Sequence, residues 1–251
     1  LDYYVKGIDN GFADRPPKVQ YYETGVNQWR QAEVWPPADV EEITFYLDSN
    51  SGANTRNGDG LLTRLSPEEG IGEDQDVFAY DPTDPVPTQG GMTNSPVDNS
   101  EVELRDDVLV YSTAILEEPL NVTGKMEAIL YLSSDVPDTD LSVKLLDVYP
   151  DGRAMSIDSS IQRVRYREGY DQEVFMEEGE VYRVKVSPTA TSTVFLAGHQ
   201  LRIEISGSDF PRYSRNLNMG TNNFIETETQ IANNVIHHSA LYPSHIVIEV
   251  R

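Results

Sequence analysis

The sequence contains no cysteine, which excludes a disulfide framework, a thiolate nucleophile and thiolate metal ligands. Positive charge is scarce too: 19 Lys and Arg stand against 42 Asp and Glu, a formal charge of −23. The only lysines are Lys6, Lys18, Lys125, Lys144 and Lys185. Phosphodiester backbones and anionic lipid draw most of their affinity from Lys and Arg, so nucleic-acid and membrane-surface roles fall away. Such an acid-rich surface suits a salty habitat or solubility alone. No apolar run approaches the roughly 18 residues of a membrane-spanning helix, and residues 1–6 are neither a signal core nor a cleavage site. These absences leave the compartment open. Also missing is Gly-x-Ser-x-Gly, the strained elbow that commonly presents a hydrolytic serine.

What is present points to a folded β protein. Of the 251 residues, 38% are hydrophobic and 9% aromatic, and runs of β-forming residues are separated by Gly, Pro, Asn and Asp clusters. The clearest strand covers 120–133, where Leu120, Val122, Met126, Ala128, Leu130 and Leu132 alternate with Asn121, Thr123, Lys125, Glu127 and Tyr131. That alternation gives one buried and one wetter face, and Gly124 within it marks a bulge. Further strands are expected at 43–47, 76–80, 108–113, 141–149, 154–158, 181–186, 193–196, 201–206 and 246–250. Asp151-Gly152 and Gly198-His199 read as tight turns. About ten strands with uneven connections suit an all-β, jelly-roll β-sandwich of two packed antiparallel sheets.

The first forty residues differ. Residues 18–25 read as one aromatic strand that needs a neighbour, because a strand's backbone groups must be paired. It is expected to be the last strand of a sheet belonging to another domain, followed by the stiff Trp35-Pro36-Pro37 connection. The chain therefore divides into 1–40, a C-terminal remnant of that domain with its linker, and 41–251, the sandwich. Two long loops remain, 49–60 and 81–99, and loops beyond about 12–15 residues are uncommon without a function. The second is the stronger functional candidate.

The histidines are His199, His237, His238 and His245. With no serine visibly partnered to them, structural roles are the expectation, and neighbouring His237 and His238 would diverge in regular structure rather than share a metal. Asp48, Asn50, Gly52 and Asp59, and the cluster Asp135, Asp138 and Asp140, offer oxygen ligands but lack the calcium-loop pattern of a sixth-position Gly with a twelfth-position Glu. They read as turn carboxylates, and no metal or cofactor site is assigned. Asn121-Val122-Thr123 fits a glycosylation sequon but lies inside the best strand.

Several longer strings then become recognisable: Tyr80-Asp81-Pro82-x-Asp84-Pro85-Val86-Pro87 with Gly90-Gly91; Asp106-Asp107-Val108-Leu109-x-Tyr111-Ser112-Thr113; Lys144-Leu145-x-Asp147-Val148-Tyr149-Pro150-Asp151-Gly152-Arg153-Ala154; Thr191-Ser192-x-Val194-Phe195-Leu196; Ser208-x-Phe210-Pro211-Arg212-Tyr213; and Pro243-Ser244-His245-Ile246-Val247. In order and spacing they resemble the C-terminal domain of the X-Pro dipeptidyl-peptidase, cocaine esterase and α-amino-acid ester hydrolase group, the CocE/NonD serine hydrolases. The resemblance implies a jelly roll packed on an α/β-hydrolase domain of the same parent protein, with residues 1–37 looking like that domain's final helix and strand. It implies that the Ser, Asp and His of the triad precede Leu1, so that no catalytic residue lies in this chain. It also implies that the loop after the Gly-Gly step reaches an ester or amide substrate, which would bring Gly90, Gly91, Met92, Thr93 and Asn94 to the pocket; the other reading is that this loop only fastens the two domains. Oligomer contacts are a further implied role. A reading from a different class, a carbohydrate-binding or adhesive β-sandwich, stays open at this point.

Overall fold

The computed structural model describes residues 1–15, 17–67, 75–90 and 96–251, apart from the side chains of 188 and 189. Thirteen strands carry it: β1 Val19–Glu23, β2 Gln28–Ala32, β3 Glu41–Asp48, β4 Leu61–Thr63, β5 Gln75–Tyr80, β6 Val108–Ser112, β7 Leu120–Ser134, β8 Asp140–Val148, β9 Ala154–Arg163, β10 Tyr182–Phe195, β11 Gln200–Ser206, β12 Ala232–His237 and β13 His245–Val250. The hydrogen-bonded path runs β5-β12-β7-β13-β3-β4-β6-β11-β8-β9, and β10 pairs with the other edge of β7. This path folds over on itself as a sandwich.

Period-two patterning explains the core. Val122, Met126, Ala128, Leu130 and Leu132 of β7 meet Leu141, Val143 and Leu145 of β8, Leu201, Ile203 and Ile205 of β11, and Ile246 and Ile248 of β13. Each is buried, and each Val, Leu, Ile and Met among them stabilises the fold by roughly 1.5–3 kcal/mol relative to exposure. The expected bulge at Gly124 is present: β13 shifts register between Ile248 and Val250, opposite Met126 and Val122 of β7. Glu249 folds into the space a Cβ on Gly124 would fill, its Oε2 accepting the Lys125 N–H at 2.6 Å.

Three differences from the sequence reading have physical reasons. The segments 181–186 and 193–196 are one strand, β10, whose register slips between Val186 and Thr189; Pro188, lacking a donor, falls within the slip. β2, β4 and β12 were not expected, because Gln-Trp-Arg-Gln-Ala and Ala-Asn-Asn-Val-Ile-His show little apolar alternation and β4 is three residues long. The aromatic strand at 18–25 is not single within the chain: Tyr21 pairs with Arg30 and Tyr22 with Trp29 in a β1–β2 hairpin. Ahead of it, residues 1–8 turn once, with the Val5 N–H on the Leu1 carbonyl at 2.9 Å, rather than forming a regular helix.

Residues 81–90 and 96–105 lie over the outer face of the β6-β11-β8-β9 layer. Val86 and Val102 pack there on Val108 and Val110 of β6. A sheet face that would ordinarily meet water is thereby covered, and its polar residues are enclosed.

Candidate functional site

The 81–99 loop is fastened at both feet. On the entering side, the Val86 N–H donates to Ser208 Oγ at 2.9 Å, the Phe210 N–H to the Val86 carbonyl at 3.0 Å and the Thr88 N–H to the Phe210 carbonyl at 2.6 Å. Arg105 adds a pair of charge-assisted bonds, reaching Asp84 and Asp107. On the leaving side, the Ser156 N–H donates to the Val97 carbonyl at 2.9 Å, the Asn99 N–H to the Ala154 carbonyl at 2.8 Å, and Asp98 Oδ1 accepts the Ala154 N–H at 3.0 Å. One foot thus grips the 208–212 segment and the other the start of β9. Gly90 is exposed, with a φ of +70°. The expected substrate contacts Gly91, Met92, Thr93 and Asn94 lie outside the described residues.

Between the feet opens a polar cavity of about 330 Å³, lined by Thr88, Gln89, Val97, Asn99, Ser156, Asp158, Ser159 and Arg212, with Lys144 and Asp209 at its floor. Lys144 projects from β8 away from the apolar core, and its ammonium lies 3.1 Å from Asp209 Oδ1 and 3.7 Å from Glu204 Oε2. Alongside, Arg202 of β11 holds Glu103 at 2.7 Å. Burial pushes Glu204 up to about 8, with Glu103 and Asp209 adding to the rise and Lys144 opposing it. A buried charge survives only when paired, as Lys144 is with Asp209 and Arg202 with Glu103.

Elsewhere a serine, a histidine and an aspartate meet in the interior. Asp76 Oδ2 accepts from Ser49 Oγ at 2.7 Å and Tyr111 OH at 2.7 Å, and lies 3.0 Å from His238 Nε2, while Asp76 Oδ1 accepts the Ala53 N–H at 2.9 Å. Burial would raise the Asp76 carboxyl, but these bonds outweigh it and hold it below its ordinary 3.8. A hydrolytic relay needs the acid on one ring nitrogen and the hydroxyl on the other. Here His238 Nε2 faces both Asp76 and Ser49, and Ser49 points its proton at the acid, so its oxygen is not activated. All three are buried. His237 also has a serine, Ser133 at 2.9 Å, His199 Nδ1 lies 2.8 Å from Asp147, and His245 Nδ1 lies 2.6 Å from the Pro243 carbonyl. Two of the histidines therefore do have serine neighbours that the sequence did not reveal, and the geometry gives each a structural task.

A family model described as the X-Pro dipeptidyl-peptidase C-terminal non-catalytic domain matches residues 10–247. The chain belongs to this family. The cocaine esterase of Rhodococcus sp. (strain MB1 Bresler) is 40% identical over the whole of this chain, which spans 44% of that protein's length. An aminopeptidase from a marine sediment Thaumarchaeota archaeon superposes with a TM-score of 0.83 at 28% identity, over all of this chain and 43% of its own. An α-amino acid ester hydrolase superposes with a TM-score of 0.82 at 26% identity, over 94% of this chain and 41% of its own. The chain thus spans less than half of each relative.

These matches make the noncatalytic jelly-roll reading of this X-Pro dipeptidyl-peptidase C-terminal domain a finding and give the carbohydrate-binding alternative no support. Within the domain, the acidic clusters are committed to internal partners: Asp138 holds Arg165 and Asn216, Asp140 holds Arg163 and Asn216, Asp135 holds Asn233, and Asp59 accepts the Asn50 N–H. Asn121 Nδ2 donates to Glu23 Oε1 at 2.8 Å. The cavity residues Asn99, Ser156, Ser159 and Asp209 were missed by sequence reasoning. One signal was available: Lys144 sits between Val143 and Leu145 in a strand buried along its length, and a buried lysine demands an acid.

Proposed function

We propose that this chain serves a serine hydrolase that cleaves esters or amides. It packs against an α/β-hydrolase domain carrying the triad and lends the 81–99 loop, with Gly90, Gly91, Met92, Thr93 and Asn94, to one wall of the substrate pocket. Residues 1–40 belong, in this reading, to the end of the catalytic domain. The observation that carries the proposal is the fastening of one loop foot to the 208–212 segment and of the other to β9, beside a polar cavity, since a loop held this way can shape and desolvate a neighbouring site without supplying a nucleophile. The missing Ser would attack the carbonyl, with the missing His as proton carrier.

Two arms test it. The purified chain is expected neither to hydrolyse p-nitrophenyl acetate nor to be labelled by a fluorophosphonate; turnover abolished by replacing one of its own serines ends the proposal. In the protein carrying the catalytic domain, a Thr93→Ala/Asn94→Ala double variant is expected to lower kcat/KM by about tenfold while leaving Tm unchanged. An unchanged kcat/KM reduces the loop to a fastener.

A further inference from the structure

We propose that Asn10 is a modification site, where the chain converts its own side-chain amide to aspartate and isoaspartate with the help of Asp9 and the Phe12 N–H. This assigns chemistry to the chain itself and does not depend on a hydrolase partner. The sequence holds two Asn-Gly pairs, Asn10-Gly11 and Asn57-Gly58. Glycine after asparagine leaves the peptide nitrogen free to approach the side-chain carbonyl, because no Cβ shields it. The two pairs are arranged differently.

Asn10 is exposed, and its Oδ1 accepts the Phe12 N–H at 3.1 Å. That bond closes an Asx turn, which folds the side-chain amide back over the Asn10–Gly11 peptide bond. It also polarises the amide, since a donor already aimed at the oxygen stabilises the negative charge that develops there. The Gly11 N–H donates to Asp9 Oδ1 at 3.3 Å, so the nitrogen that must lose its proton has a carboxylate beside it to take that proton. Gly11 also stands clear: a Cβ on it would meet nothing within 4 Å. The step balances among these groups and water. The Gly11 nitrogen bonds to Asn10 Cγ as its proton passes to Asp9; the Cγ–Nδ2 bond then breaks and ammonia leaves with that proton, giving a succinimide. Water opens the ring at either carbonyl, producing aspartate or isoaspartate. At the second pair, the Gly58 N–H donates instead to the Thr55 carbonyl at 3.1 Å, a neutral acceptor that does not take a proton. Gly58 is hemmed in as well, for a Cβ there would lie 2.1 Å from the Gly52 carbonyl oxygen and 2.7 Å from that of Asn54.

Incubation of the purified chain at neutral pH, followed by peptide mapping with mass spectrometry and methylation by protein isoaspartyl methyltransferase, tests this with Asn57 as internal control. Asn10 is expected to convert at least about tenfold faster than Asn57 and to yield a peptide that the methyltransferase labels. Asp9 is exposed, so Asp9→Ala leaves folding intact. That variant is expected to slow conversion about tenfold and to make the remaining rate climb steeply with hydroxide concentration, which the parent rate follows only weakly. No conversion at Asn10, equal rates at Asn10 and Asn57, or an Asp9→Ala rate and pH profile matching the parent's overturns the proposal.

Discussion

Glu204 is enclosed on the outer face of β11, 2% exposed, with Lys144 Nζ 3.7 Å from its Oε2 and no hydrogen-bond donor on its Oε1. Burial, with Glu103 and Asp209 close by, lifts its carboxyl to about 8 from an ordinary 4.5. Between those two values the native state holds a proton that the unfolded chain has released, so the native state loses stability as pH rises through the window. The slope is at most about 1.4 kcal/mol per pH unit. Melting curves at pH 5 to 8 are therefore expected to show Tm falling, and Glu204→Gln, which keeps the shape and cannot ionise, is expected to flatten that decline and to equal or exceed the parent at pH 8. A parent Tm that is level from pH 5 to 8, or a glutamine variant that melts lower at pH 8, contradicts this assignment. The sequence put Lys144 within the strand expected at 141–149 but did not show its partners, because Glu204 and Asp209 lie sixty or more positions away and the β8–β11 pairing brings Glu204 opposite Lys144.

At the scale of elements, the end of β1 makes a close backbone approach to β10 of the sandwich. The Thr24 N–H donates to the Ser192 carbonyl at 3.0 Å and the Val194 N–H to the Thr24 carbonyl at 2.9 Å. Gly25, at φ +83°, follows so tightly that a Cβ would lie 2.1 Å from the Val194 carbonyl oxygen. An alanine there must adopt an unfavourable left-handed conformation and also push β10 away. Gly25→Ala is expected to cost about 2 kcal/mol and to speed amide exchange at Val194 while the β8–β11 amides stay protected. Uniform exchange across both regions shows instead that the hairpin and sandwich unfold together. Strands with strong alternation, such as β7 and β11, were legible because a buried face leaves a period-two trace. β12 was not, since Asn234 is buried through its bond from Ser134 Oγ at 2.8 Å, a tertiary contact that carries no local signal. The 81–99 loop was legible by length and composition, whereas its cavity is assembled from β8, β9 and the 208–212 segment.

Over the whole molecule, exposed aromatics gather in the first forty residues. The inner face of the hairpin is satisfied: Tyr21 packs edge-on against Trp35 at 5.2 Å, and Glu23 holds Arg30 and Asn121. On the outer face, Trp29 is 72% exposed and packs edge-on against Tyr22 at 5.4 Å, which is itself 42% exposed. An aromatic pair left on the surface of an acidic molecule contributes little to its own fold and is suited to a largely apolar partner surface, the role expected of this segment if it closes onto a catalytic domain. The chain has two tryptophans, so the contact has an optical signature. Adding the separately produced α/β-hydrolase domain to this chain is expected to shift Trp29 emission to the blue as its indole leaves water. Trp29→Ala is expected to weaken that association about tenfold or more, as for a buried aromatic anchor, while altering the melting of the isolated chain by no more than about 0.5 kcal/mol. If emission stays unchanged at saturating partner, or if Trp29→Ala unfolds the isolated chain, the outer hairpin face is not the surface on which the two halves meet.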